Sequence, residues 1–211
     1  FFADGRISVR NGDCVRPVLS ADEIAIPGVH NIENYMAAVA AVDGLVSDEV
    51  IREVAASFSG VEHRIELVRE VHGVKYYNDS IASSPTRTIA GLRSFRQKVI
   101  LIAGGKDKNI DYAPLGPEIV QHVRFLILTG GDVIGSTVPK ICAAVLNVPE
   151  YDSVALPILL IDDFEEAVRA AAAQASEGDV VLLSPASTSF DKFSNFMERG
   201  KTFKAVVNHL E

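Results

Sequence analysis

Lys98-Val99-Ile100-Leu101-Ile102-Ala103-Gly104-Gly105-Lys106 is the stretch whose reading decides the fold. Five consecutive apolar side chains, with no polar residue alternating among them, suit a strand covered on both faces, as in a parallel sheet. The run stops at two glycines and a lysine, the composition of a loop at a strand's carboxyl end. Working outward, similar runs recur at 65–71, 74–79, 124–131, 157–162 and 179–186. Between them lie stretches of helical periodicity at 86–95, 113–123, 138–146, 164–175 and 190–210. Strand, helix and strand in series predict an α/β domain, a Rossmann-like doubly wound and mostly parallel sheet.

The first sixty residues have a different character. Asp4-Gly5 and Asn11-Gly12 are hairpin-forming dipeptides, so residues 1–26 are expected to form a small antiparallel element. After Pro27-Gly28, the residues Ile32, Met36, Val39, Ala40 and Val42 recur at helical spacing. Ser47 is placed to cap a second helix that runs to about Phe58 and ends at Ser59-Gly60. Two regions are therefore expected, 1–60 and 61–211, consistent with 211 residues against about 150 per domain.

Composition narrows the function. Twenty Lys and Arg against 28 Asp and Glu leave a formal charge of −8. That balance argues against a nucleic-acid partner, which needs a basic stripe along the phosphates. No apolar run approaches the roughly eighteen residues of a membrane span. Cys14 and Cys142 lack zinc-site spacing, and as isolated thiols they suit a cytoplasmic location. The chain opens Phe1-Phe2 without Met or a signal-peptide pattern, and the expectation is the latter part of a longer protein.

Ligands of open parallel sheets bind beyond the carboxyl ends of the strands. The tips there are Asn78-Asp79-Ser80, Gly104 through Asn109, Thr129-Gly130-Gly131-Asp132, Asp162-Asp163 and Ser184 through Asp191. All are polar, as a binding rim would be and as ordinary loops also are. Lys106 and Lys108 are either solvated loop lysines or holders of a carboxylate or phosphate. Ser187-Thr188-Ser189 reads as the opening of the last helix, either as caps or as part of an anion site. Phe190, Phe193 and Phe196 are core residues or a phenyl lid. His63-Arg64 is a linker pair or a pair of cations aimed at phosphate. The fingerprints GxGxxG and GxSxG do not occur, and the five histidines show neither HxxxH nor HxH spacing. Gly130 and Gly135 have Walker-type spacing, but Ser136 stands where the phosphate-binding lysine is required.

Several of these motifs occur together and in order. They are Gly28-Val29-His30-Asn31-Ile32-Glu33-Asn34, Gly60-Val61-Glu62-His63-Arg64, Asn78-Asp79-Ser80-Ile81-Ala82-Ser83, Gly104-Gly105-Lys106-Asp107-Lys108, and Leu183 through Asp191 with Glu198-Arg199-Gly200 behind. In this the chain resembles the Mur ligase family, and within it the members that add D-glutamate. The resemblance implies an ATP- and Mg²⁺-dependent amide ligase of peptidoglycan precursor synthesis, joining D-glutamate to UDP-N-acetylmuramoyl-L-alanine through an acyl phosphate. It implies that residues 1–60 end the central ATPase domain and that 61–211 form the C-terminal domain receiving the amino acid. By the same resemblance Asn31 and Asn34 lie near adenine, Arg64 near the ATP phosphates and Asp79 near the ribose. Ser83, Lys108, Ser189, Phe190 and Phe196 match glutamate-holding positions, with Arg64 and Lys108 closest to the chemistry. Ile81 stands where many members have Lys, and Ser83 where Thr is common. The Walker loop and the main Mg²⁺ ligands are expected outside these 211 residues, which would leave the chain inactive by itself. A folylpolyglutamate-synthase-like ligase and a non-catalytic α/β binding module are the alternative readings.

Overall fold

The computed structural model describes residues 1–26, 28–58, 60–130 and 135–211. Pro27, Ser59 and the Gly131–Ile134 part of the Gly130–Gly135 spacing lie outside the described residues, as does the side chain of His30. The chain divides into two compact units, Phe1–Gly60 and Val61–Glu211.

In the first unit, β1 (Phe2–Ala3), β2 (Arg6–Asn11) and β3 (Cys14–Ser20) form an antiparallel sheet in that order. Asp4 and Gly5 both have positive φ, which turns the chain within two residues. The second turn is Gly12-Asp13, because Asn11 still pairs with Cys14; it lies one residue later than the Asn-Gly dipeptide suggests. Two helices follow, α1 (Val29–Val42) and α2 (Asp48–Ser57), the latter with Ser47 at its N-cap position. Ile7, Val18, Leu19, Tyr35, Val39, Ile51 and Ala55 form the core of this unit.

The second unit is the expected α/β domain. Its strands are β4 (Glu66–Val71), β5 (Val74–Asn78), β6 (Val99–Ala103), β7 (Val123–Leu128), β8 (Ile158–Leu160) and β9 (Val180–Leu183). Their order in the sheet is β4-β5-β9-β6-β7-β8. All neighbours are parallel except β4 and β5. Only His72-Gly73 separates these two strands, both with positive φ, and a two-residue link permits a hairpin but no crossover. The helices α3 (Pro85–Leu92), α4 (Leu115–His122) and α5 (Val138–Leu146) cover one face, packing on Val99, Leu101, Ala103, Leu126, Leu128 and Leu182. The helices α6 (Phe164–Ala173) and α7 (Phe196–Asn208) cover the other, over Ile100, Ile102, Ile127, Val181 and Leu183. Successive residues of β6 thus enter two different cores, which is why that run carries no polar residue.

One element starts later than its sequence pattern suggests. The last helix begins at Phe196, not Phe190, because Asn195 caps it by accepting from the Glu198 amide at 2.9 Å. The Glu198 carboxylate in turn accepts from the Ser194 amide at 2.8 Å. Ser187-Thr188-Ser189 therefore do not cap this helix, and residues 190–195 form a connecting turn.

Packing between α4 and α5 sets the tightest demand on a side chain in the helical layer. A Cβ on Gly116 would overlap the carbonyl oxygen of Ala144, a backbone atom that cannot rotate away. Alanine is favoured over glycine inside a helix by about 1 kcal/mol, whereas overpacking costs about 1–3 kcal/mol. Gly116→Ala is therefore expected to lower stability despite its helix propensity, with a reduced midpoint in thermal unfolding. An unchanged or raised midpoint contradicts this packing.

Candidate functional site

The rim beyond β5, β6 and β9 is assembled by backbone contacts too close for side chains. Gly104 (φ +114°) and Gly105 (φ +139°) adopt conformations that disfavour L side chains. A Cβ on Gly104 would overlap the Thr129 carbonyl, and one on Gly105 would meet Ser187 Oγ at 2.7 Å. The segment is pinned on both sides. Gly104 donates to the Pro185 carbonyl at 2.9 Å and Lys106 to the Thr188 carbonyl at 3.0 Å, while Thr188 Oγ1 donates back to Lys106 at 2.9 Å. On the other side Thr137 donates through its amide and its hydroxyl to the Gly105 carbonyl, at 2.9 and 3.0 Å.

Lys106 and Lys108 leave this segment exposed to solvent. Lys108 Nζ donates to Ser83 Oγ at 3.3 Å, joining the loops after β6 and β5. Between them in sequence, Asp107 is neutralised by an ion pair with Lys140. The segment 104–109 thus presents Lys106 and Lys108 outward while its own carboxylate, Asp107, is already partnered.

Beneath the surface, polar groups tie the tips together. Asp79 is 4% exposed and accepts from Ser184 Oγ at 2.8 Å and from the Ile65 amide at 3.3 Å. Burial pushes its carboxyl up to about 7, against the pull of those bonds and of the positive charge on Arg64 and Arg87. Asn78 donates to His63 Nδ1 at 2.9 Å and to Glu66 Oε2 at 3.1 Å. His63 therefore accepts at Nδ1, and burial holds its pKa below the usual value. A Cβ on Gly200 would overlap that same Nδ1, so the glycine after Arg199 makes room for the histidine.

A family model described as Mur ligase, glutamate ligase domain matches residues 63–187. The chain belongs to the Mur ligase family. The UDP-N-acetylmuramoylalanine–D-glutamate ligase of Acetivibrio thermocellus is 55% identical over 210 residues, which cover 99% of this chain and 44% of that protein. The chain thus spans less than half the length of this relative. Among solved structures, the UDP-N-acetylmuramate-alanine ligase of Thermotoga maritima matches with a TM-score of 0.62 and 16% identity, covering 88% of this chain and 39% of that one. A Mycobacterium tuberculosis folylpolyglutamate synthase complexed with ADP gives 0.63 and 12%, covering 87% and 41%. These distant likenesses speak for the fold alone.

Within this Mur ligase chain, the structure brings some of the sequence candidates together and keeps others apart. Asn31 and Asn34 lie on α1 of the first unit, where Asn34 donates to Asn31 Oδ1 at 3.3 Å. Arg64 is exposed on the turn whose next residue, Ile65, donates to Asp79. Ser83 and Lys108 meet, as described. Ser189 is 3% exposed and its carbonyl accepts from Lys192 and Phe193, so it lies within the turn and not on its surface. The three phenylalanines part company. Phe190 is 62% exposed, Phe193 packs edge-on to Phe164, and Phe196 packs edge-on to His63 at 5.9 Å between ring centroids.

Two partnerships have no mark in the sequence pattern. Ser184, at the end of an otherwise apolar strand, supplies Asp79 with a hydrogen bond across 105 positions. Lys204 neutralises both Glu62 and Glu66. With His63, these two carboxylates form a cluster of metal-type donors among the described residues. The Lys204 ammonium already fills the place of a cation there, so the cluster does not fit Mg²⁺.

The buried Asp79 gives a pH signature. Its carboxyl is at about 7 in the folded chain and about 3.9 when unfolded, so the folded state holds the proton more tightly. Its contribution to stability is complete below pH 4 and is lost as pH rises towards 7. Stability relative to Asp79→Asn, measured by urea unfolding, should therefore fall between pH 4 and 7 by up to about 1.4 kcal/mol per pH unit. A difference that does not change with pH would refute the burial of a titrating acid.

Proposed function

We propose that this chain is the amine-delivering part of an ATP-dependent ligase that joins D-glutamate to UDP-N-acetylmuramoyl-L-alanine in peptidoglycan precursor synthesis. The observation that carries the reading is the meeting of Lys108 and Ser83 at 3.3 Å on the rim. An exposed ammonium beside a hydroxyl, with no carboxylate in ion-pair distance among the described residues, suits a carboxylate of an incoming amino acid. The family membership and the ligase named among the chain's relatives support the same chemistry.

In the proposed reaction the carboxylate oxygen of the uridine-linked substrate attacks the γ-phosphorus of ATP, and ADP leaves. The nitrogen of D-glutamate then attacks the acyl carbon. The carbon–oxygen bond to phosphate breaks, phosphate departs with its electron pair, and the amine's proton passes to solvent. Lys108 and Ser83 hold one carboxylate of D-glutamate, and Ser189 orders the turn that carries Phe190. The exposed phenyl of Phe190 and the ring of Phe196 flank the amino acid and limit the access of water to the acyl phosphate. Arg64, on a turn anchored by Asp79, meets negative charge on the phosphates. By family membership Asn31 and Asn34, in the unit that ends the central ATPase domain, are the proposed adenine contacts, and Asp79 is the proposed ribose contact. Mg²⁺, bound outside these residues, would screen the phosphates. Orientation of the amine against the acyl carbon supplies several kcal/mol of the barrier reduction. ATP and the uridine-linked substrate put the reaction in the cytoplasm, where Cys14 and Cys142 remain reduced.

Removing one charge-assisted bond to a carboxylate costs about 1.5–3 kcal/mol, or roughly 10- to 100-fold in affinity. In the intact ligase Lys108→Ala should therefore raise the KM for D-glutamate by that factor, whereas Arg64→Ala should chiefly lower kcat. Steady-state kinetics that show the reverse pattern exchange the two roles. The 211-residue chain alone contains no Walker-type lysine and is expected to release no phosphate from ATP. Turnover by the purified chain overturns the division of labour proposed here.

A further inference from the structure

Arg199 is a cation buried where the proposed mechanism makes no use of it. It stands in the first turn of α7, is 2% exposed, and forms no ion pair among the described residues. Its Nε donates to Ser80 Oγ at 3.1 Å. Its Nη2 donates to the Ser80 carbonyl at 2.9 Å and to the Ser187 carbonyl at 3.1 Å. Ser80 Oγ passes its own proton to the Phe196 carbonyl at 2.7 Å, so the hydroxyl accepts from the guanidinium and donates onward. The third nitrogen, Nη1, is buried and has no hydrogen-bond partner. It lies against Gly105, where a Cβ would stand 3.3 Å from it.

One planar group therefore touches all three loops of the rim. Ser80 belongs to the loop that carries Asp79 and Ser83, Ser187 to the turn that carries Ser189 and Phe190, and Gly105 to the segment that carries Lys106 and Lys108. Burial draws the Arg199 pKa down to about 10, against the charge of Asp191, which leaves it cationic at neutral pH. A buried cation with an unsatisfied donor is a poor way to gain stability, since buried charges are costly unless paired and fully bonded. Its return is geometric: Nη2 bridges the Ser80 and Ser187 carbonyls while Nε, fixed in the same plane, holds Ser80 Oγ, a rigid three-point set that the single rotatable nitrogen of a lysine does not reproduce.

We propose that Arg199 is a positioning residue for the amino-acid substrate: through the Ser80 and Ser187 carbonyls it sets the spacing between the Ser83–Lys108 pair and the Ser189-Phe190 turn. The proposal rests on the ligase reading given above. If a substrate is clamped between these two groups, loosening their spacing weakens its binding and leaves binding of the uridine-linked substrate unaffected. A merely structural role predicts otherwise, since a smaller folded fraction lowers kcat and leaves both KM values unchanged.

The test uses the intact ligase with R199Q and R199K. R199Q should raise the KM for D-glutamate at least tenfold and leave the KM for the uridine-linked substrate within twofold. R199K keeps the charge without the fork and should recover only part of that loss, with a threefold or greater increase remaining. A D-glutamate KM within twofold of the parent in R199K overturns the proposal, and that variant alone decides if R199Q does not fold. A loss confined to kcat also overturns it and assigns Arg199 to stability. If the unaltered ligase forms no product from D-glutamate, the ligase reading fails, an outcome separate from wild-type turnover with an insensitive Arg199.

Discussion

Three strand ends can converge on one rim only where the chain carries no side chain. Gly104 lies against the Thr129 carbonyl and Gly105 against Ser187 and Thr188, so β6 approaches the loops that follow β7 and β9 at backbone distance. Everything else at the rim inherits that closeness. The bonds of Lys106 to Thr188, of Thr137 to Gly105 and of Gly104 to Pro185 turn separate loops into a stitched surface. The lysines of the segment can then project outward from a backbone that is itself immobilised.

The same closeness explains why so much polarity lies beneath the rim. Loops pressed together must satisfy their carbonyls and amides from below, where water does not reach. Asp79, Ser184, His63, Asn78 and Arg199 do this with side chains drawn from β5, β9, α7 and the turn before β4. Such an arrangement trades stability for a defined geometry, because an apolar filling of equal volume is often at least as stable as buried charge. The Mur ligase chain keeps an acid with a pKa of about 7 and an arginine with an idle nitrogen in this layer, a pattern more typical of a functional site than of an optimised core.

The parallel sheet was legible because β6 and β9 are apolar without interruption, and a strand facing two cores leaves no alternative pattern. The antiparallel β4 was less plain: its exposed and buried positions resemble those of any strand, and only the two-residue His72-Gly73 link distinguishes it. The helical spacing of Phe190, Phe193 and Phe196 points to an earlier start for α7 than the one set by Asn195, which caps the helix by accepting from the Glu198 amide. At the candidate site the residue types and loops were readable, but their partners were not. Nothing local in sequence links Ser83 to Lys108 or Asp79 to Ser184, since these contacts depend on how strand ends register across the sheet. Arg199 was visible in the Glu198-Arg199-Gly200 motif, but its role depends on two carbonyls, and backbone atoms leave no mark in sequence.

The two sides of the larger sheet end differently, with a consequence for self-association. A bare strand edge offers unpaired amides and carbonyls to any passing chain. On one side β4 meets solvent with Arg69 and Glu70 and with a register break between Leu67 and Arg69, so charge and irregularity discourage a further strand. On the other, β8 has three residues and follows Pro157, which has no amide to donate. Its exposed Leu160 would otherwise be adhesive, and brevity takes the place of charge there. A sheet guarded by repulsion on one flank and by shortness on the other should respond unequally to salt, because screening weakens only the first defence.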